Sequence, residues 1–323
     1  MCTAISFKTK DHYFGRNLDL EYHYNESVVV TPRNYPFPFR CKETISSHYA
    51  MIGMAIVEDS FPLYYEATNE HGLSMAGLNF PGNAYYCPLD ATKDNITPFE
   101  LIPWILCQCK DVADAIKCLD RINIVNISFS EKFPLSPLHW FLCDRERAIV
   151  IEQTKDGLFV YDDPVGVLTN NPPFPYHQYN LQNYINITAK EPTNRFSNQL
   201  QLIPYSKGMG GIGLPGDLSS ASRFIRAAFT KENSHCEHTE DASVSQFFHI
   251  LESVSQQRGC AQVGNHYEIT YYSSCCNTDT GIYYYKTYDN SQITAIRIAS
   301  TNLDCHTLTA YPLITKQQIR YEN

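Results

Sequence analysis

Apolar and polar residues alternate along the N-terminal third of the chain, which is typical of half-buried β-strands. The segments TAISFKT and HYFGRNL form a predicted β-hairpin around Lys10-Asp11. If two residues make that turn, paired positions sum to about 21, so Asp19 lies opposite Cys2 and Arg16 lies close by. Further strands are predicted in ESVVVTPRNY and YAMIGMAIV, and two more in PLYYEATNEHGLSMAGLNF.

A helical period starts after the capping box of residues 97–100, TPFE, which opens the run FELIPWILCQC. Asp111 is the predicted N-cap of a second helix, VADAIKCLDRI. Strands return in WFLCD, AIVIEQT and LFVYDD, and helices in SRFIRAAFTKE and over 243–257, where Ser-x-x-Gln is a second capping box. The final hairpin, GIYYYKTY and QITAIRI, turns around residues 289–291. Sheet, helices and sheet again predict a layered α+β domain.

The stretch from about 170 to 220 is rich in Asn, Pro, Tyr and Gly and is predicted to be irregular. It ends in GMGGIGLPGDLSS, which lacks the Gly-Lys-Ser/Thr ending of a phosphate-binding loop, so we predict no nucleotide site there. No internal repeat or obvious linker divides the chain.

Composition narrows the function classes. The 323 residues carry a net charge of −9, and the 25 Lys and Arg residues are scattered, so nucleic acid is an unexpected partner. No apolar run approaches the roughly eighteen residues that span a bilayer, and no signal-peptide pattern precedes the twelve cysteines. We therefore expect a cytoplasmic protein with reduced thiols and no membrane partner.

No metal or other cofactor is predicted. Cys107 and Cys109, and the adjacent Cys275 and Cys276, do not have the C-x-x-C spacing of structural zinc. The ligand-type residues of 235–238, HCEH, are too close together on one polar loop. The G-x-S-x-G and H-E-x-x-H signatures of other hydrolases are absent.

Cys2 is the strongest candidate for chemistry, because it directly follows Met1. Removal of Met1 would place a thiol and a free α-amine on one residue. An α-amine titrates near pH ~8 and a thiol near ~8.5, so a proton can pass from sulfur to nitrogen around neutrality. The alternative is a small buried cysteine with no chemical role.

Several blocks carry a resemblance: MCTAISF, FGRNLDLEYHY, NEHGLSMAGLNFPG, SPLHWFL, AIVIEQTKDGLFVYDDPVGVLTNNPPF, GLPGDLSSASRFIRAAF and GIYYYKTYDNSQITAI. In order along essentially the whole chain, they resemble the choloylglycine hydrolase family, and within it the bile salt hydrolases. The resemblance implies an N-terminal nucleophile hydrolase, an αββα sandwich of two stacked antiparallel sheets covered by helices. It also implies one domain over 2–323 after loss of Met1, assembled as a homotetramer, with 185–215 as a possible oligomerisation loop.

The resemblance also implies a catalytic set for cleavage of a linear amide, matched position by position: Cys2, Arg16, Asp19, Asn79, Asn170 and Arg223. Cys2 is the nucleophile, Arg16 favours its thiolate and Asp19 holds the α-amine. The backbone N–H of Asn79 and the side-chain amide of Asn170, rather than of Asn171, form the oxyanion hole. Arg223 braces the set. Without the resemblance, Arg16 and Arg223 would be read as surface cations, Asp19 as a ladder carboxylate and the asparagines as turn residues.

The implied substrates are bile acids conjugated to glycine or taurine, cleaved through a thioester. A steroid needs a broad apolar slot, and the candidate wall residues are Leu18, Tyr24, Phe61, Tyr65, Phe129, Phe133 and Leu138. Three alternatives stay open: a penicillin V acylase, an N-acyl homoserine lactone acylase, and a non-catalytic bile-acid-binding or redox protein. Asn79 argues against a penicillin V acylase, because the acylases of the family tend to carry tyrosine at that position.

Overall fold

A computed structural model describes all 323 residues. Alternating apolar residues form eighteen strands. In chain order they are β1 (Cys2–Lys8), β2 (His12–Leu20), β3 (Ser27–Thr31), β4 (Met51–Glu58), β5 (Phe61–Asn69), β6 (Ser74–Asn79), β7 (Asp94–Ile96), β8 (Ile122–Ile124), β9 (Leu138–Cys143), β10 (Ala148–Thr154), β11 (Gly157–Asp162), β12 (Val167–Leu168), β13 (Gln262–Val263), β14 (His266–Tyr267), β15 (Ile269–Asn277), β16 (Ile282–Thr287), β17 (Asn290–Arg297) and β18 (Thr309–Pro312).

Two large antiparallel sheets contain most of these strands. The first sheet has the order β12-β1-β2-β15-β16-β17, and the second has the order β11-β10-β9-β6-β5-β4-β3-β18. Two small pairs, β7 with β8 and β13 with β14, stand outside them. Apolar residues of both sheets, including Phe14 of β2 and Phe141 of β9, share one buried cluster between the sheets. The N-terminal strand β1 therefore lies inside the first sheet, with neighbours on both sides.

Five helices complete the fold: α1 (Leu101–Gln108), α2 (Val112–Leu119), α3 (Phe174–Leu181), α4 (Ser220–Glu232) and α5 (Glu240–Glu252). Single 3₁₀ turns occupy Pro98–Glu100, Gln182–Tyr184, Met209–Gly211 and Ile298–Ser300. The buried faces of α1 and α2 cover the second sheet, and those of α4 and α5 belong to the cluster of the first sheet. The predicted four-layer α+β sandwich is confirmed. None of the helices combines the length and the apolar composition needed to cross a bilayer.

The predicted N-terminal hairpin is present, but its register is shifted by one residue from the prediction. Cys2 pairs with Leu18, and Ala4 pairs with Arg16, so Asp19 does not lie opposite Cys2. The cause is a three-residue loop, 9–11, in which Thr9 N–H donates to the Asp11 carbonyl oxygen at 2.9 Å. A one-residue slip moves every side chain to the other face of a sheet. Arg16 therefore shares the face of the Cys2 side chain, while Asp19 lies on the opposite face.

Three other expectations were wrong at their boundaries. Helix α5 begins at Glu240 with Thr239 as its N-cap, so the Ser-x-x-Gln capping box at 243–246 lies inside the helix. The last hairpin turns at residues 288–289, because Thr287 already pairs with Asn290. The region 170–220 is not wholly irregular, since it contains α3. By contrast, Asp111 caps α2 as predicted, and Thr97 precedes the 3₁₀ turn Pro98–Glu100 that leads into α1, where its N–H donates to Glu100 Oε2 at 3.0 Å.

Candidate active site

Cys2 opens β1 with its side chain buried. Its backbone N–H donates to Oδ1 of Asn170 at 2.8 Å. Met1 precedes it in the structure, and the Met1 ammonium contacts the Glu268 carboxylate and donates to the Asp19 carbonyl oxygen at 2.7 Å. Loss of Met1 would turn the Cys2 nitrogen from an amide into an amine at the position where it bonds to Asn170 Oδ1.

Asp19 and Arg223 form a buried charged pair on the sheet face opposite the thiol. The Asp19 Oδ2 atom lies 3.9 Å from Nη1 of Arg223, and Thr270 Oγ1 donates to Asp19 Oδ1 at 2.6 Å. Arg223 Nη1 also donates to the Cys2 carbonyl oxygen and, at 2.7 Å, to Thr3 Oγ1. Burial lowers the pKa of Arg223, and the negative charge of Asp19 opposes that shift. Arg223 therefore holds the Cys2 carbonyl group and the Asp19 carboxylate faces Arg223, while the Cys2 nitrogen itself bonds to Asn170 and not to Asp19.

Arg16 approaches Cys2 from the thiol face. It is fully buried, and its Nη1 donates to the carbonyl oxygens of Gly77 at 2.6 Å and Tyr65 at 3.1 Å, both in the second sheet. Burial alone would lower the pKa of Arg16, but the facing acidic groups, Cys2 first among them, raise it above its usual value. A permanent cation on this face favours the thiolate form of a neighbouring cysteine.

Two amide groups converge near the Cys2 nitrogen. Asn170 Oδ1 accepts from Cys2 N–H and from Arg223 Nη2, each at 2.8 Å, so its Nδ2 must be the donor that reaches the Asn79 carbonyl oxygen at 2.8 Å. Phe80 N–H donates to the Pro137 carbonyl oxygen in the β6–β9 ladder. Because ladder bonds alternate along an antiparallel strand, the N–H and C=O of Asn79 both point away from β9, and the C=O is the group that meets Asn170. The Asn170 side-chain amide and the Asn79 backbone therefore lie side by side next to the Cys2 nitrogen.

The segment that carries Asn170 is anchored by buried groups that sequence reasoning missed. His139 Nε2 lies 3.0 Å from the Thr169 carbonyl oxygen, and His139 Nδ1 lies 3.1 Å from Glu152 Oε1. Glu152 Oε1 also accepts from Phe174 N–H at 2.9 Å. His177 Nε2 contacts the Asn170 carbonyl oxygen at 2.9 Å, and burial lowers the pKa of His177 to about 4. Polar residues at core positions of the segments SPLHWFL and AIVIEQT were the available signal.

An apolar cavity of about 360 Å³ opens onto Cys2 and Arg16. Its walls include the predicted residues Leu18, Tyr24, Tyr65, Phe129, Phe133 and Leu138, together with Asn79. The cavity has the size and lining of a small-molecule site. It also contains residues that the sequence did not single out, Leu20, Ile56, Leu63, Tyr64, Phe99, Ile102, Trp140 and the rim 134–137.

Phe61 is the predicted wall residue that the structure excludes. Its ring is buried behind the cavity wall, packed edge-on against Phe99 and Phe37 and tilted against Phe129. It begins β5 and packs in the same cluster as α1, whereas Leu63, Tyr64 and Tyr65 are the β5 residues that line the cavity. Phe61 therefore supports the ring of Phe129 and does not line the site.

The structure holds no arrangement of three or more His, Cys, Asp or Glu side chains suited to a metal ion, and all twelve cysteines are unpaired. The chemistry at hand is that of a thiol, an amine precursor, two arginines, a carboxylate and two amides. A family model described as linear amide C–N hydrolases, choloylglycine hydrolase family, matches residues 2–311. The chain belongs to the choloylglycine hydrolase family. The resemblance is thus confirmed.

Two choloylglycine hydrolase relatives cover nearly the whole chain. A bile salt hydrolase/transferase from Lactiplantibacillus plantarum is 56% identical over 319 residues, which are 98% of each chain. A bile salt hydrolase/transferase from Clostridium perfringens is 38% identical over the full length of both chains.

Two solved structures share the fold of this chain. A mutant of the conjugated bile acid hydrolase from Clostridium perfringens superposes with a TM-score of 0.93 at 37% identity, covering all of both chains. The penicillin V acylase from Agrobacterium tumefaciens reaches a TM-score of 0.76 at 15% identity, over 96% of this chain and 90% of that one, which shows a shared fold alone.

Proposed function

We propose that this chain hydrolyses the amide bond of bile acids conjugated to glycine or taurine, with Cys2 as the N-terminal nucleophile. The observation that carries the proposal is the position of Cys2 at the end of an apolar cavity, with its nitrogen bonded to Asn170. The bile salt and conjugated bile acid hydrolases among its relatives support the choice of acyl group.

In the first step, Cys2 Sγ attacks the amide carbonyl carbon and the electron pair of the C=O bond moves to oxygen. The Asn79 N–H and the Asn170 Nδ2–H stabilise that oxyanion. Collapse of the intermediate breaks the C–N bond, and the Cys2 α-ammonium gives its proton to the departing nitrogen. Glycine or taurine leaves, and the acyl group stays on sulfur as a thioester.

In the second step, water attacks the thioester and passes a proton to the Cys2 α-amine, and sulfur leaves to regenerate the thiolate. Asn170 Oδ1 holds the amine through both steps, while Arg223, with Asp19 as its charged partner, holds the Cys2 carbonyl group. If an amine attacks instead of water, the same thioester yields a new amide. The names of the two relatives, hydrolase/transferase, support that second activity for this chain.

Parallel assays of amide hydrolysis with glycocholate, taurocholate and penicillin V test the acyl group. We expect turnover of at least one conjugated bile acid to exceed that of penicillin V. Faster hydrolysis of penicillin V would reverse the assignment, and a preference for N-acyl homoserine lactones would indicate the third acylase class. No hydrolysis of any amide, with bile acid binding retained, would leave a non-catalytic binding protein.

Intact-mass analysis and substitution of Cys2 test the nucleophile separately. We expect the active protein to lack Met1, because only then does Cys2 carry an amine. Cys2→Ala and Cys2→Ser variants should lose nearly all hydrolysis while they keep the circular dichroism spectrum of the parent. Full activity in a protein that retains Met1 would disprove this mechanism.

We further propose a cytoplasmic homotetramer built from one domain, 2–323, with 185–215 in its interfaces. Large apolar side chains in that segment are exposed: Ile185, Phe196, Leu200, Leu202, Ile203, Tyr205 and Ile212. Exposed apolar patches of this kind support an interaction surface, and twelve unpaired cysteines support a reducing compartment. Light scattering after gel filtration tests the assembly: Phe196→Asp should shift a tetramer towards smaller species, and a monomeric parent protein would refute it.

A further inference from the structure

Glu66 is a buried carboxylate that none of the steps above uses. It lies on β5 of the second sheet and is fully buried between the sheets. Two hydroxyls of the first sheet donate to it: Tyr272 to Oε2 at 2.7 Å, and Tyr283 to Oε1 at 2.6 Å. Each carboxylate oxygen is thereby fixed by a donor from the opposite sheet. A side chain held in this way has little freedom to rotate.

The same carboxylate faces Arg16. Glu66 Oε2 forms an ion pair with Arg16, 3.9 Å from Nε, and Nε also donates to the Asn17 carbonyl oxygen at 3.5 Å. Nη1 is bound to the carbonyl oxygens of Tyr65 and Gly77. Nη2 is the one terminal nitrogen of this buried guanidinium without a hydrogen-bond partner. A buried donor without a protein partner is rare, so this nitrogen calls for an explanation.

Arg16 lines the cavity together with Cys2, on the same face of the β1–β2 hairpin. The guanidinium is planar, so fixing its Nε and Nη1 sides also fixes the direction of Nη2. We propose that Glu66 is a positioning residue: it holds the Arg16 guanidinium so that Nη2 is presented to the Cys2 sulfur and the group bound there. The inference rests on the proposed nucleophile but not on the identity of the acyl group.

A purely structural role for Glu66 makes a different prediction. Burying an ion pair costs desolvation energy, and well-packed apolar residues of similar volume often serve stability as well or better. Burial raises the pKa of Glu66, and Arg16 and the two tyrosine hydroxyls oppose that shift. The titratable groups that face Glu66 are Arg16 from β2, Tyr272 and Cys276 from β15, and Tyr283 from β16. A positioning role must therefore be read out at Cys2 and not from stability alone.

The test is the rate of alkylation of Cys2 by iodoacetamide as a function of pH, followed by mass spectrometry of the N-terminal peptide. Glu66→Gln keeps the volume and an acceptor oxygen but removes the charge that orients Arg16. We expect the midpoint of the alkylation profile to move up by about one pH unit, the low end of the effect of an opposite charge at 4–6 Å. We also expect kcat to fall about 10- to 100-fold, with KM changed less than threefold, because misplacement by about 1 Å costs that much.

The direction of the change decides between the two roles. If Glu66 acted on Cys2 only as a nearby negative charge, its removal would move the alkylation midpoint down. A midpoint that stays in place or falls overturns the proposal. A second check uses Arg16→Lys: in that background Glu66→Gln should have almost no further effect, since coupled residues are not additive. Full additivity would also overturn it.

Tyr283→Phe covers the case in which Glu66→Gln does not fold, because it removes one donor to Glu66 and leaves the carboxylate in place. It should move the midpoint up by a smaller amount, and no shift counts against the proposal. Tyr284→Phe is the matched control: Tyr284 is the next residue on β16, faces the other side of the sheet and makes no bond to Glu66. Alkylation needs no substrate, so these results are independent of whether bile acids are cleaved.

Discussion

Asn170→Asp is the sharpest perturbation of the site, because it exchanges one NH₂ group for one oxygen and changes nothing else in shape. The Oδ1 atom keeps its two donors, Cys2 N–H and Arg223 Nη2, at 2.8 Å each. In the parent protein, Nδ2 donates to the Asn79 carbonyl oxygen at 2.8 Å. In the variant, the oxygen that replaces Nδ2 faces that carbonyl oxygen. A donor becomes an acceptor, and a negative charge appears where the oxyanion forms.

The magnitude follows from the number of donors removed. Loss of one oxyanion donor costs about 2.7–4 kcal/mol, which is about 10²- to 10³-fold in kcat. Ground-state binding depends on the apolar cavity, so KM should stay within about threefold. Arg223 gains an ionic partner at position 170, so the loss of the bond to Asn79 is offset and the folded protein should persist.

Steady-state hydrolysis of the preferred conjugate, beside thermal unfolding, provides the assay. Asn171→Asp is the matched control, since the Asn171 side chain bonds to the Pro81 carbonyl oxygen and to Asn83, outside the cavity lining. We expect Asn171→Asp to keep kcat within a few-fold of the parent. If the two variants lose equal activity, or Asn170→Asp keeps ordinary kcat, then Asn170 is not the oxyanion donor.

Two further predictions concern the cavity and acid stability. Phe133→Ala removes a half-buried ring of the cavity wall and should raise KM for conjugated bile acids about tenfold, or ~1.5 kcal/mol. Phe159→Ala, on exposed β11, is the control and should leave KM unchanged. Equal KM values for the two variants would contradict the assignment of the wall. Burial lowers the pKa of His12 and of His177 from 6.5 to about 4, so the unfolded chain binds these protons first as the pH falls. The free energy of unfolding should therefore fall between pH 6.5 and 4, by about 3 kcal/mol for each histidine. His12→Gln should make Tm depend less on pH in that window. A parent protein whose Tm does not change with pH there would refute the prediction.

The strands could be predicted from the sequence more fully than the arrangement of the candidate catalytic residues. Period-two alternation predicted the major strands, and capping chemistry at Thr97 and Asp111 placed two helices. The hairpin register failed because loop 9–11 contains one residue more than the assumed turn, and nothing in the alternation of TAISFKT fixes the loop length. That single residue moved Asp19 to the face of Arg223.

Contacts between distant segments were the other gap. The pairing of Asn170 with Asn79 and the anchoring of its segment by His139 and Glu152 depend on how β6, β9 and β10 meet, which local pattern does not encode. Phe61 shows the same limit: on a strand buried on both faces, apolar residues of either face look alike, so its side could not be assigned from sequence.

The groups around Cys2 come from both sheets: Cys2 and Arg16 from the first, and the carbonyl oxygens of Gly77 and Asn79 from the second. The geometry of the candidate site therefore depends on the distance between the two sheets. We expect hydrolysis to be lost at a denaturant concentration that lets the sheets separate slightly, well below the concentration at which either sheet unfolds. Substitutions that stabilise this protein by repacking the core between the sheets would need to preserve that spacing to within about 0.5 Å.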